Sequence, residues 1–263
     1  MSQFYILCRS SGRLGNAIFR YLAVVKLMLK YKNLKYLPNE NNNIKSYNIV
    51  NEQNIFDYLN NDIEINNNLL LEGYFQFDIY LEDKKDIINF IEIHKNEHQI
   101  DGNQIFYMNQ ITDDIILDKS KIYDIVIHIR LGDFNSDLNR IEYKYMEKLF
   151  ETIDFSNKRI AIVTEPLYID IDKIYLQNMI NWFNKNGIEI NIETNDLITD
   201  FNIMKQAKEL VCCMSTFDWV AAFFSSKLEK CYMPNYNFDL KIRNQTFKHP
   251  IKNVIFYDVK STV

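Results

Sequence analysis

Tyr123-Asp124-Ile125-Val126-Ile127-His128-Ile129-Arg130-Leu131-Gly132-Asp133 is the stretch on which the reading of this chain turns. The apolar run that ends at Ile127 has the composition of a buried parallel strand. A strand closing in His-x-Arg and turning through Gly-Asp presents an imidazole and a fixed cation at its carboxyl end. In open α/β sheets that edge is where ligands bind. Arg130 keeps its charge and offers a planar fork of donors suited to phosphate oxygens. An Arg–Asp pair closing a surface turn is the plainer alternative.

Downstream of this stretch the pattern is regular. Strand 124–130 precedes helix 140–153, and strand 159–164 precedes helix 175–185. Strand 188–193 leads to helix 200–209, strand 210–214 to helix 216–224, and a strand at 230–233 follows. Short apolar strands alternating with helices predict a parallel sheet with right-handed crossovers, a Rossmann-like lobe over residues 123–263. Residues 254–257 read as a further strand or as a crossing back to the first lobe. Upstream, residues 1–122 read as a second α/β lobe. It opens with a strand at 4–8, a loop through Gly12 and Gly15, and a helix from Ala17 to Lys30 with Asn16 as its N-cap. Residues 38–68 are rich in Asn and read as irregular surface with one or two short helices. An apolar run at 69–71 then leads to an amphipathic helix at 83–93. The boundary between lobes is expected near Lys119-Ser120-Lys121.

The 263 residues are 47% hydrophobic, enough for a substantial core and too apolar for a disordered chain. A net charge of -5, with Lys and Arg scattered, argues against a nucleic-acid partner, which would need a basic face. Cys8, Cys212, Cys213 and Cys231 all fall in apolar strand-like runs and read as reduced core thiols. None has Cys-x-x-Cys spacing, so no metal site is expected from them. The first eight residues carry neither a basic region nor a signal-length apolar run, and no segment approaches a membrane span. The expectation is a cytoplasmic protein with no transmembrane segment.

Two further segments could hold an anion. Ser11-Gly12-Arg13-Leu14-Gly15-Asn16 places a two-glycine turn between a strand and a helix, where unpaired N–H groups and the helix dipole favour phosphate. It is neither a Walker loop nor a full dinucleotide fingerprint, and an ordinary capped turn is its plain reading. Ser215-Thr216-Phe217-Asp218-Trp219 repeats the arrangement, with two hydroxyls able either to cap a helix or to donate to a phosphate. Asp218 at a helix start favours the dipole.

Taken in order, these segments resemble the α1,2-fucosyltransferase family, related to the α1,6- and protein O-fucosyltransferases. Gly12-Arg13-Leu14-Gly15-Asn16 with Phe19 and Tyr21 is similar to the family's Gly-x-Leu-Gly-Asn-Gln-x-Phe-x-Tyr opening, with Ala17 in place of Gln. His128-Ile129-Arg130-Leu131-Gly132-Asp133 resembles His-x-Arg-Arg-Gly-Asp, with Leu131 for the second Arg. Ser215-Thr216-Phe217-Asp218-Trp219, then Ala221-Ala222, resembles Ser-Thr-Phe-Ser-Trp-Trp-Ala-Ala, and Val220 replaces one Trp. Gly73-Tyr74-Phe75-Gln76 with Tyr80 matches a Gly-Tyr-Phe-Gln…Tyr segment, and Asp200 and Met204 stand where an acidic residue and a Met precede the Ser-Thr-Phe motif.

The resemblance implies a GT-B-type enzyme of two Rossmann-like lobes with the donor site in the cleft between them. It would invert GDP-β-L-fucose onto a galactose-type hydroxyl of an oligosaccharide or glycan, with no metal and no cofactor beyond the GDP-fucose co-substrate. Arg130 would hold the β-phosphate and stabilise departing GDP. Gly12, Arg13, Gly15 and Asn16 would line the pyrophosphate, Asp200 would accept from the guanine edge, and His128 would touch the nucleoside. Ser215, Thr216 and Phe217 would complete the pocket. The base is open between Asp133, which also suits a turn-closing role, and Asp137. Gln76 and Glu165 are candidates for the acceptor side or cleft. Leu131 leaves room for a same-fold transferase using another nucleotide sugar, or a nucleotide-sugar- or glycan-binding module of weak activity. Asp170-Ile171-Asp172 imitates an Asp-x-Asp metal motif but does not end a strand, and reads as a solvated helix start.

Overall fold

Each of two parallel sheets organises one unit of the chain, Met1–Asp113 and Asp114–Val263 in the computed structural model. The residues described are 2–9, 12–38, 44, 46–76, 79–80, 82–101, 104–132, 141–235 and 253–259. The division falls earlier than the basic stretch at 119–121 where the sequence places it.

In the first unit β1 (Phe4–Cys8) leads to α1 (Leu14–Lys30), followed by β2 (Leu34–Leu37), β3 (Tyr47–Asn51), α2 (Ile55–Asn60) and β4 (Asn68–Glu72). The strands pair in parallel in the order β2-β1-β4-β3. Then come α3 (Lys84–His94), an antiparallel pair β5 (Gln99–Asp101) and β6 (Ile105–Tyr107), and α4 (Met108–Thr112). Helix α1 is apolar around most of its circumference. Leu14, Ile18, Phe19, Leu22 and Val25 are all buried, which is the pattern of a helix enclosed by its unit. It begins at Leu14, earlier than Ala17, so Asn16 lies inside the first turn and Arg13 occupies the N-cap position. The 38–68 segment also holds more order than its composition suggests. Strand β3 runs through it, burying Val50 alone, and so leaves almost no apolar alternation to read.

The second unit alternates strand and helix throughout: β7 (Ile125–His128), α5 (Tyr143–Phe150), β8 (Ile160–Val163), α6 (Asp170–Lys185), β9 (Asn191–Glu193), α7 (Leu197–Lys205), β10 (Glu209–Val211), α8 (Thr216–Phe224), β11 (Lys230–Asn235) and β12 (Val254–Asp258). All pairs are parallel, in the order β12-β11-β10-β7-β8-β9. From β7 the chain builds outward through β8 and β9. It then returns to the other side of β7 with β10 and builds outward through β11 and β12. This is the Rossmann order, and β7 and β10 flank its switch point.

The sheet's core packs Ile125, Ile127 and Ile129 against Met146, Phe150 and Phe183. Helix α7 starts at Leu197, before the expected Asp200, because Asp196 caps it by accepting from the Ile198 and Thr199 N–H groups, both at 3.1 Å. The tail at 254–257 is a strand of this same sheet. Tyr257 reaches across β11 and donates its hydroxyl to the Cys212 carbonyl at 2.6 Å. All four cysteines are free thiols, with Cys212, Cys213 and Cys231 buried. No helix among the described residues is long and apolar enough to cross a membrane.

Candidate functional site

Alternation along β7 and its extension sorts the side chains of the central motif. Ile125, Ile127, Ile129 and Leu131 enter the sheet's core, while His128 and Arg130 take the intervening positions. Leu131 is only 1% exposed. The position where the resemblance carries a second cation is therefore filled by a core side chain. The chain then turns at Gly132, whose φ of +82° falls in the left-handed region. A Cβ there would stand 3.1 Å from Glu165 Oε1, so a side chain would be crowded as well as strained.

Asp172 Oδ2 accepts the Gly132 N–H at 2.9 Å and fixes the turn. This corrects the reading of Asp170-Ile171-Asp172. Asp170 is exposed and pairs with Lys173, but Asp172 is fully buried and supports the motif that carries Arg130. Nothing in its sequence setting at a helix start distinguishes it from a solvated acid. Asp133 and Asp137 lie outside the described residues.

The neighbouring strand β10 delivers the other half of the switch point. Ser215 caps α8 by accepting from the Phe217 N–H at 3.1 Å, and Thr216 opens the helix beside it. Asp218, one turn in, does more than favour the dipole. Its Oδ2 accepts the Cys213 N–H at 2.8 Å and lies 3.0 Å from His128 Nδ1, and Cys213 Sγ is 3.3 Å from the same nitrogen. Burial pushes the Cys213 thiol well above its usual range, with Asp218 adding to the rise and Arg130 opposing it. Phe217 sets its ring edge-on to His128 at 5.8 Å and 5.5 Å from Phe201.

Asp200 is 7% exposed, and its carboxylate accepts from Asn195: Oδ1 from the side-chain amide at 2.9 Å, both oxygens from the backbone N–H. Burial raises its pKa, opposed by those Asn195 bonds and by the nearby His128. Asn195 is a site residue that the sequence reading missed. An Asn in a polar loop gives no signal of such a role. A separate groove of about 590 Å³, lined in part by Lys158, Trp182 and Glu189, sits where the chain enters β8 and β9. It therefore belongs to the opposite edge of the sheet.

In the first unit Gly12 has φ +74°, and a Cβ there would meet Asn16 Nδ2 at 2.8 Å. Asn16 Oδ1 accepts from Gln76 Nε2 at 2.8 Å, so the Gly12–Gly15 turn and the Gly73–Gln76 segment meet. Glu52, another residue absent from the sequence reading, holds the second segment. Its Oε1 accepts from the N–H groups of Tyr74 at 3.1 Å and Phe75 at 2.9 Å. Tyr80 donates to the Phe75 carbonyl at 2.7 Å, which braces that residue at a φ of +51°. Gly15 is buried in the first turn of α1, and Arg13 is half-buried.

No family model matches the chain, and no curated protein matches it. Among solved structures it is similar to a mutant of Arabidopsis thaliana FUT1 in complex with GDP, at 12% identity and a TM-score of 0.47, covering 88% of this chain and 70% of that one. It is similar also to POFUT1 in complex with GDP, at 11% identity and a TM-score of 0.42, covering 88% of this chain and 97% of that one. Similarities at this level assign no activity.

Proposed function

We propose that this chain is a GT-B-type inverting glycosyltransferase that moves L-fucose from GDP-β-L-fucose to a galactose-type hydroxyl of a glycan, forming an α1,2 linkage. The observation that carries the reading is the position of Arg130. It follows β7 at the switch point of a Rossmann-ordered sheet, next in that sheet to the strand that feeds the N-terminus of α8. In this reading the guanidinium binds the β-phosphate and stabilises the charge that gathers on GDP as the fucosyl–oxygen bond breaks. No divalent ion is needed on the pyrophosphate. The acceptor oxygen attacks the opposite face of the anomeric carbon and its proton passes to a carboxylate, for which Asp133 is the candidate.

Asp200, oriented by Asn195, accepts from the guanine N–H groups, while His128 and Phe217 border the nucleoside. Ser215 and Thr216 border the phosphates. Gly12, Arg13, Gly15 and Asn16 keep the pyrophosphate-lining role that the resemblance implies, and Gln76 and Glu165 are proposed for the acceptor side. The buried Leu131 favours a second reading: a same-fold protein that takes another nucleotide sugar, or binds one with weak turnover.

Calorimetric titration with GDP, UDP and GDP-fucose, with and without magnesium, separates these readings. GDP should bind and UDP should not, magnesium should change neither result, and Arg130→Ala should weaken GDP binding by roughly 10–100-fold, the worth of a charged hydrogen bond. Preference for UDP would overturn the donor assignment. Release of GDP from GDP-fucose only when a galactoside is present would establish transfer.

A further inference from the structure

His128, Cys213 and Asp218 come from three separate segments, the end of β7, the chain just past β10 and the first turn of α8, and their donor atoms all lie within 4.8 Å of one another. We propose that these three residues form a binding site for one zinc-class divalent cation, separate from the chemistry of sugar transfer.

The donor set suits such an ion. Imidazole nitrogen, thiolate sulfur and carboxylate oxygen are its usual ligands, and three protein ligands leave room for a fourth. The spacing suits it too. An ion held at ~2.0–2.3 Å in tetrahedral geometry separates its ligand atoms by roughly 3.3–3.6 Å. His128 Nδ1 is already 3.0 Å from Asp218 Oδ2 and 3.3 Å from Cys213 Sγ, and the three ligand atoms lie within 4.8 Å of one another, so side-chain adjustment without backbone rearrangement brings them around one ion.

An independent observation points the same way. Asp218 is fully buried, and its Oδ1 has no hydrogen-bond partner among the described residues. An orphaned carboxylate oxygen in a dry site is costly. Bidentate coordination would use it as the fourth ligand atom. Charge closes the argument: a dication with one thiolate, one carboxylate and a neutral imidazole sums to zero, the state that a buried site tolerates best.

Binding displaces the Cys213 thiol proton to solvent. It also takes up the lone pair of His128 Nδ1, leaving the ring proton on Nε2. That tautomer turns an N–H donor toward whatever His128 meets on its other edge. The sequence conceals the site because no two of its ligands have metal-binding spacing; Cys213 and Asp218 are five apart across a strand–helix turn, and His128 lies far upstream.

The test is metal uptake by the intact protein, prepared without chelating resin and depleted of metal, using Zn²⁺ for affinity and Co²⁺ as a spectroscopic probe. One ion per chain is expected, with a thiolate-to-cobalt charge-transfer band. Cys213→Ser should abolish that band and lower Zn²⁺ affinity more than about a hundredfold, beyond the range typical of an outer-shell partner. Cys212→Ser, which alters the adjacent thiol, should keep both. X-ray absorption on the zinc-loaded wild type covers the case in which Cys213→Ser fails to fold. It should show one sulfur near ~2.3 Å with nitrogen and oxygen near ~2.0 Å. A shell without sulfur, uptake unchanged in Cys213→Ser, or no uptake at all would overturn the proposal.

Discussion

At position 131 one side chain decides what the turn after β7 can offer a ligand. Leu131 packs with Ile129 and Met146, and its backbone direction follows from strand alternation rather than from anything at the surface. Arginine placed there would not restore a second phosphate-binding cation. Leu131→Arg should force an unpaired guanidinium into the core and cost about 3–5 kcal/mol, as for other uncompensated buried charges. Urea titration reads this directly, and a variant that is as stable as wild type and binds GDP more tightly would refute the inward placement. The same residue shows what sequence could and could not supply. The motif His-x-Arg-x-Gly-Asp was legible, and so was its place at a strand end. The partner of its turn was not, because Asp172 looks like any acid at a helix start until Gly132 arrives 2.9 Å away from a segment 40 residues upstream.

Helix α1 and strand β2 together build a second environment with a measurable signature. Tyr21 bonds His98 Nδ1 at 2.7 Å, Tyr36 stands edge-on at 5.1 Å, and His94 stacks at 4.9 Å. Burial, with the charge of His94 adding to it, lowers the His98 pKa from 6.5 to about 4. Unfolded, this imidazole takes its proton near pH 6.5; folded, it refuses the proton until about pH 4. The unfolded state thus binds more protons across that window, and stability falls as pH drops through it, levelling below. Thermal midpoints measured by far-UV circular dichroism at pH 7 and pH 5 should differ more for wild type than for His98→Gln. Equal differences would remove His98 as the cause. At this scale α1, α3 and α5 to α8 were legible from their apolar periodicity, whereas α4, at five residues, offers none to read. Strand β3 was not legible, since its single buried residue leaves no pattern, and α7 begins before the expected Asp200 because Asp196 caps it.

For the molecule as a whole, the strand order decides where chemistry can sit. Alternation of strands and helices was readable along the second unit, but the return from β9 to the far side of β7 is a tertiary fact, and it is this return that makes the carboxyl ends of β7 and β10 neighbours. Both tryptophans, Trp182 and Trp219, belong to this unit, so their fluorescence follows its unfolding alone. GDP at a hundred times its dissociation constant should stabilise that transition by about 2.7 kcal/mol in wild type. In Arg130→Ala at the same GDP concentration the gain should fall to about 0.4–1.4 kcal/mol, following the 10–100-fold weaker binding. A gain undiminished by the substitution would mean that the phosphates are held elsewhere.

Tyr257 bears on how deletion experiments are to be interpreted. Its hydroxyl clamps the carbonyl of Cys212, the residue directly before one of the proposed metal ligands, from a strand near the carboxyl end of the sequence. Trimming that strand would unlatch the β10 connection without touching any side chain that meets a ligand. A truncated protein that no longer binds its ligands would thus report a severed brace, and mapping activity by deletion would wrongly assign catalytic residues to the tail.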